Sequence, residues 1–284
     1  MTVFTPGGSA AIAEAISVST SLTSIILNGN LLGLGSAKDI AKGIAGSASL
    51  TDIDLSSNRI RPVGVQAIAK AISDSTSLTR VDLSLNPLVY TGAVHVAEGI
   101  ASSTSLTSIN LEGCSICAGG AKHLAEGISV SASLERINLR SNYLLVDGAK
   151  HIAKGIAVST SLTCIDLGCN KIGSEGAKHI AKAITDSALL TSINLLANDI
   201  GPEGAHHIAK GISVSTSLME ISIRRNSIGP TGAKAIAKAV SVSSSMTKVL
   251  AFCIFGKLRC LFELFSHLTF FVHRLICQTT NSVG

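Results

Sequence analysis

The residues of this 284-residue chain that could do chemistry do not gather in one place but return at a fixed interval. Asp54, Asp82, Asn110, Asn138, Asp166 and Asn194 follow one another at steps of 28 residues. Arg136 and Arg140 bracket Asn138, and Glu220, Arg224 and Arg225 form a second charged group further along. Carboxylates and amides with guanidinium groups beside them suit bidentate hydrogen bonding to another molecule. That is the chemistry of recognition. The motifs of turnover are missing: there is no GxxxxGK phosphate loop, no HExxH, no GxSxG and no kinase signature. The sequence therefore assigns no catalytic residue, no cofactor and no small-molecule substrate.

Three further series have the same interval. His95, His123, His151, His179 and His207 form one column. Metal ligation needs such side chains to converge, and neighbours on packed helices start about 8–10 Å apart at their axes. No metal site is read from them. Cys114 and Cys117 are a lone CxxC without a second pair at zinc spacing. Lys38, Lys122, Lys150, Lys178 and Lys234 recur at one position, and Lys42, Lys70, Lys154, Lys182, Lys210 and Lys238 recur four residues later. This basic ridge has no interleaved aromatic on which bases could stack. A solvated helix face is the preferred account, and neither nucleic acid nor an anionic membrane is the expected partner.

A strict period positions all of these groups. Leu22, Leu50, Leu78, Leu106, Leu134, Leu162, Leu190, Leu218 and Met246 mark nine units without insertion or deletion. Apolar residues three and five after each anchor, such as Ile165 and Leu167, share one face of a strand. Positions two, four and six then point to the opposite face, which places the polar column there. Eight after the anchor stand Asn30, Asn58, Asn86, Asn142, Asn170, Asn198 and Asn226, with Cys114 as the substitute. An asparagine stacked at the strand ends can satisfy buried backbone groups of the turn.

The second half of each unit changes period. Ala177, Ile180, Ala181 and Ile184 follow i, i+3, i+4, i+7 spacing, so Lys178, His179 and Lys182 fall on the solvated face of a helix. Gly176 and its equivalents stand where the chain enters that helix, and Ser/Thr-rich segments such as SVSTS lead to the next strand. Parallel strands sit about 4.8 Å apart while helices need about 8–10 Å. Equal numbers of both must curve, strands inside and helices outside.

The pattern LxxIxLxxNxIGxxGAxxIAxxI, whole in the units opening at Leu162 and Leu190, resembles the leucine-rich repeat of ribonuclease-inhibitor type. It is similar to repeats of NOD-like receptors and Ran GTPase-activating proteins. The resemblance implies an α/β solenoid, a curved horseshoe with parallel strands on the concave face and helices on the convex one. It also implies an interaction module that binds a protein partner through the concave strands and adjoining loops. A GTPase-activating regulator of a small GTPase is the alternative, and no functional residue carries over from that family. Partner identity and oligomeric state are not legible.

Composition sets the remaining bounds. The hydrophobic content is 46% but aromatics are only 3%, as a Leu/Ile/Ala core requires. The net charge of +5 does not by itself argue for nucleic acid. MTVFTPGGSAAIAEAI reads as repeat text rather than a secretory leader, and the seven cysteines form no paired framework. An intracellular, cytoplasmic setting is expected, with the half-unit start leaving open that this is part of a longer chain. The expected divisions are 1–21, a half repeat acting as a cap; 22–248, the solenoid; and 249–284, a divergent tail rich in Phe and Cys. For that tail a capping helix, a membrane-associated segment and a non-native reading stand as alternatives. The turns of the units at Leu78, Leu106 and Leu134 are irregular, so an irregular lip is expected there.

Overall fold

The computed structural model describes residues 6–251. Helices and strands alternate through them: α1 (Pro6–Val18), β1 (Ser24–Ile26), α2 (Leu34–Gly46), β2 (Asp52–Asp54), α3 (Pro62–Asp74) and β3 (Arg80–Asp82). The series continues with α4 (Val89–Ser102), β4 (Ser108–Asn110), α5 (Cys117–Val130), β5 (Arg136–Asn138), α6 (Leu145–Val158) and β6 (Cys164–Asp166). It closes with α7 (Gly173–Asp186), β7 (Ser192–Asn194), α8 (Gly201–Val214), β8 (Glu220–Ser222), α9 (Gly229–Val242) and β9 (Lys248–Leu250). The strands form one parallel sheet in sequence order, and each residue pairs with its equivalent in the next unit, as Asp52 does with Arg80 and Arg80 with Ser108. This is a leucine-rich-repeat solenoid. The ninth strand carries the ladder to Leu250, past the start of the tail. The readings made for the tail from residue 252 onward lie outside the described residues.

The core is the layer between sheet and helices. Anchors from Leu50 to Leu218 are buried, as are Ile53, Leu55, Ile165 and Leu167 from the strands and Ala177, Ile180, Ala181 and Ile184 from a helix. Helices begin up to three residues before the glycine that the sequence pattern placed at their entry; α7 starts at Gly173, so Gly176 lies within its first turn. That glycine answers to packing. A Cβ at Gly176 would run into Ile172 Cγ2 and stand 3.2 Å from Ala149 Cβ of the preceding helix.

Hydrogen-bonded ladders hold the turns. Asn58 is fully buried, and its Nδ2 donates to Leu27 O at 2.8 Å, Leu55 O at 3.0 Å and Ser56 O at 3.1 Å. Its Oδ1 accepts from the Asn30 backbone N–H at 2.8 Å. The arrangement repeats at Asn86, Asn142, Asn170, Asn198 and Asn226. Backbone groups buried by stacking thereby find partners, as burial of polar groups requires.

Two more ladders lie in the Ser/Thr-rich segments. Ser77 Oγ donates to Ser47 O at 3.2 Å and Leu50 O at 2.9 Å, while Ser75 Oγ accepts from Leu78 N–H at 3.1 Å. Thr79 Oγ1 donates to Thr51 O at 3.0 Å. The same bonds recur at Ser105, Ser161 and Ser245, and at Thr107, Thr163, Thr191 and Thr247. What looks like low-complexity text is a set of cross-unit ties.

The expectation of an irregular lip needs correction. From the unit at Leu106 onward each turn passes through left-handed backbone at the same three places: Cys169, Lys171 and Gly173 have φ of 57°, 54° and 68°. Val89 (50°), Cys117 (54°) and Leu145 (58°) take the conformation that Gly173, Gly201 and Gly229 take elsewhere. Pro87, which cannot adopt positive φ, interrupts the set in the unit at Leu78, and in the two units before it Gly33 and Arg61 keep φ of −71° and −85° at the third place. The irregularity therefore lies in the side chains presented, not in the path of the chain.

Candidate partner-binding face

Parallel sheets are ordinarily covered on both faces. Here helices cover one face, and nothing from the described chain covers the other. Side chains two, four and six after each anchor occupy it, and the structure shows what each is doing.

The Asp/Asn column of the strands is partly committed to its own backbone. Asp54, Asp82 and Asp166 accept through Oδ1 from Ser56, Ser84 and Gly168 N–H at 2.8, 2.8 and 2.7 Å. Asn110, Asn138 and Asn194 accept likewise from Glu112, Arg140 and Leu196 N–H at 3.1, 2.9 and 3.0 Å. These are local turns that close the strand end. The second polar atom faces along the column: Asn110 Nδ2 donates to Asp82 Oδ2 and Asn194 Nδ2 to Asp166 Oδ2, both at 2.8 Å. The six groups are half-buried. Their first task is to hold the inner wall.

The charged flanks differ among themselves. Arg80 Nε pairs with Asp52 Oδ2 at 2.6 Å, Arg140 Nε with Glu112 Oε1 at 3.3 Å, and Lys248 Nζ with Glu220 Oε1 at 2.9 Å. Each pair joins adjacent strands. Pairs this exposed contribute little stability, about 0–1 kcal/mol. Arg136 is exposed and makes no ion pair among the described residues. It sits in the middle of the face, with Asn138 on the same strand, Arg140 just past its end and Glu112 one unit away, its Oε2 3.4 Å from Asn138 Nδ2. The structure thus brings Arg136, Asn138, Arg140 and Glu112 together. Glu112 supplies the acid to which the cluster is tied.

Arg224 lies half-buried on the inner side, but Arg225 does not share its face. It occupies a left-handed turn position at φ 54° and is exposed on the rim, where the strand has ended. The two adjacent arginines therefore address different surfaces.

The remaining columns are on the helices. His95 and His123 bond to Glu98 and Glu126 of their own helices at 3.2 and 3.1 Å. Lys70, Lys178 and Lys182 pair with Asp74, Glu175 and Asp186. Cys114 fills its asparagine slot completely buried, donating from Sγ to Leu83 O at 3.2 Å. Burial pushes this thiol up to about 12, against the backbone N–H of Asn86, which points at the sulfur. Cys117 is exposed on the rim. No helix among the described residues is long and apolar enough to cross a membrane.

Sequence reasoning passed over the exposed apolar side chains of the turns. Leu85, Val89, Tyr90, Tyr143, Leu145 and Val146 all stand out from the rim, Leu85 at 59% and Tyr143 at 61% exposure. The signal was present, since Val89, Cys117 and Leu145 stand where the C-terminal units carry glycine, with Tyr90, Tyr143 and Val146 beside them.

Comparison with known proteins agrees with this geometry. The family model described as Leucine Rich repeat matches residues 46–69, 158–181 and 214–237. No curated protein matches the chain. Among solved structures, the leucine-rich repeat-containing protein LegL7 from Legionella pneumophila is 21% identical, with a TM-score of 0.60 over 88% of this chain and 80% of that one. Leiomodin-1 Actin-Binding Site 2 is 16% identical, with a TM-score of 0.45 over 54% of this chain and 88% of the other. A TLR13–ssRNA13 complex is 18% identical, with a TM-score of 0.48 over 81% of this chain and 32% of the other. The likeness to LegL7 is one of fold.

Proposed function

We propose that this leucine-rich-repeat protein is a non-catalytic interaction module that binds a protein partner across its concave sheet. One observation carries the reading: a nine-stranded parallel sheet leaves one whole face uncovered among the described residues, lined by polar and charged side chains. Ladders fix the backbone, so the face is presented without the ordering cost that a flexible surface incurs on binding.

Arg136 is the centre of the proposed contact. It is exposed, central and without an ion pair among the described residues, whereas Arg140 is already held by Glu112 and preorganised. Arginine in such a place suits a planar carboxylate, which takes two parallel N–H bonds. Asn138 beside it can turn from Glu112 to a partner group, because the present contact is long at 3.4 Å. Arg224 and Glu220 extend the face towards its C-terminal end. The Asp/Asn column supports the contact by holding the strand ends.

The test is quantitative capture from an extract of the source cells. Proteins retained by the wild-type chain should be lost by Arg136→Glu with Arg140→Glu, and kept by Lys150→Glu with Lys154→Glu on the convex helices. Equal retention by both double variants would overturn the reading. Single-turnover GTP hydrolysis by a panel of small GTPases addresses the regulator alternative, for which acceleration by the chain is required.

A further inference from the structure

We infer that the turn rim of the N-terminal half is a second docking surface, and that it takes an acidic amphipathic segment of a protein partner. The inference rests on the reading of the chain as an interaction module and adds where, and to what chemistry, it binds.

The surface is built from three consecutive turns. The middle one, in the unit at Leu106, is nearly bare: Gly113, Ser115, Ala118 and Gly119. Its neighbours are bulky and exposed, with Leu85, Val89 and Tyr90 on one side and Tyr143, Leu145 and Val146 on the other. Leu85 and Tyr90 lean over the bare turn. A Cβ on Gly113 would lie 2.8 Å from Leu85 Cδ2, and one on Gly119 would lie 3.1 Å from the Tyr90 ring. Tyr90 is held there by its hydroxyl, 3.1 Å from His123 Nε2, and by edge-on contact with the imidazole at 5.5 Å between centroids. The result is a shallow apolar trough: Leu85 and Tyr90 lie across the small residues of the middle turn, and Tyr143, Leu145 and Val146 stand exposed in the next unit. With units about 5 Å apart at the strands and about 8–10 Å at the helices, the backbones of the two flanking turns stand roughly 10–20 Å from each other. A helix of about 15 residues spans about 22 Å.

Charge selects the occupant. Arg59 and Arg61 flank the trough on its N-terminal side, exposed and without an ion pair among the described residues. Lys171 closes the other side, its Nζ 5.9 Å from the Tyr143 centroid. Of the acids near it, Glu112 is paired with Arg140 and Glu175 with Lys178, which leaves Asp147 against Arg59, Arg61 and Lys171, so the rim is net basic. Carboxylates on either side of an apolar anchor match that distribution.

The turn backbone sets the walls. Val89, Cys117 and Leu145 hold left-handed φ where three later turns use glycine. In this rim the position carries Val89 and Leu145 on the trough walls.

The chain offers its own probe. It has no Trp and two Tyr, and both tyrosines line the trough. Tyrosine emission of the full chain therefore reports on this surface alone. The ligand tested is a labelled peptide of about 15 residues, free of Tyr and Trp, with Leu anchors at i, i+4 and i+7 between glutamates; the control replaces every Glu by Lys. Expected are a change in tyrosine emission and an anisotropy rise with the acidic peptide, at least tenfold weaker for the basic one. Tyr143→Ser with Leu145→Ser, and separately Arg59→Glu with Arg61→Glu, should each weaken binding at least tenfold while far-UV circular dichroism stays unchanged. Equal binding of the two peptides, or no response up to roughly 1 mM, overturns the inference. So does a response that survives both rim variants, or one abolished by Arg136→Glu with Arg140→Glu. Those outcomes leave the concave-face reading standing, because its own capture experiment does not use the rim.

Discussion

Restoring the missing member of the asparagine ladder should stabilise the fold. Cys114 accepts no backbone N–H through a carboxamide, so the Asn86 N–H that would bond to it is directed at sulfur instead. In the other units the equivalent N–H meets an Oδ1 at 2.7–3.1 Å, as Asn198 meets Asn226 and Asn58 meets Asn86. Cys114→Asn would supply that acceptor and would donate from Nδ2 to Leu111 O, besides the Leu83 O and Glu112 O that the thiol already reaches at 3.2 and 3.6 Å. Leu88 N–H is not recovered, because across Pro87 it bonds to Asn86 O at 2.8 Å.

Two new buried bonds at about 1 kcal/mol each, less the cost of a somewhat larger side chain, leave a gain of about 1 kcal/mol. For a chain of this size that raises the melting midpoint by roughly 2 °C. Thermal and urea unfolding followed by circular dichroism would measure it. A midpoint equal to or below wild type would refute the argument that the ladder works by satisfying buried backbone. The converse variant, Asn142→Ala, strips Cys114 and Ile116 N–H of their acceptor and Leu111, Leu139 and Arg140 O of a donor. It should cost on the order of 4 kcal/mol.

Other expectations follow from single features. Val89→Gly should stabilise by about 1 kcal/mol in urea unfolding, through release of left-handed strain at φ 50°; a destabilised variant would contradict the backbone assignment. Native alkylation at pH 8 followed by peptide mapping should modify exposed Cys117 and spare Cys114, whose thiol is raised to about 12 and is therefore almost wholly protonated. Because this folded value lies above the 9.0 of a free thiol, its contribution to stability is complete below pH 9 and is lost as pH rises towards 12. Unfolding free energy measured across that window should fall. Lys150→Glu with Lys154→Glu should change stability by less than about 0.5 kcal/mol, since both lysines lie on the exposed convex face.

The sequence reading reached the architecture because each structural device has its own residue type. Leu162, Ile165 and Leu167 can only be one face of a strand, and an uncharged Asn170 at the end of it has few uses besides bonding backbone. The same reading passed over the Ser and Thr ladders because a hydroxyl in a turn looks identical whether it faces water or a carbonyl of the next unit. Asp54 and Asn138 raised a related ambiguity: a polar side chain on an open strand reads as a binding group, and its bond to the N–H two residues on is visible only in three dimensions. The rim was half legible. Tyr90 and Tyr143 marked unusual turns, but an apolar residue in left-handed backbone hides the conformation that Gly173, Gly201 and Gly229 would have announced.

Hydrogen exchange on the complex with a captured partner would test the central claim most directly. Protection confined to β4, β5 and β6 and their adjoining turns, and absent when Arg136 and Arg140 are replaced by glutamate, is the predicted footprint. Protection of the convex helices with the strands unchanged would contradict it.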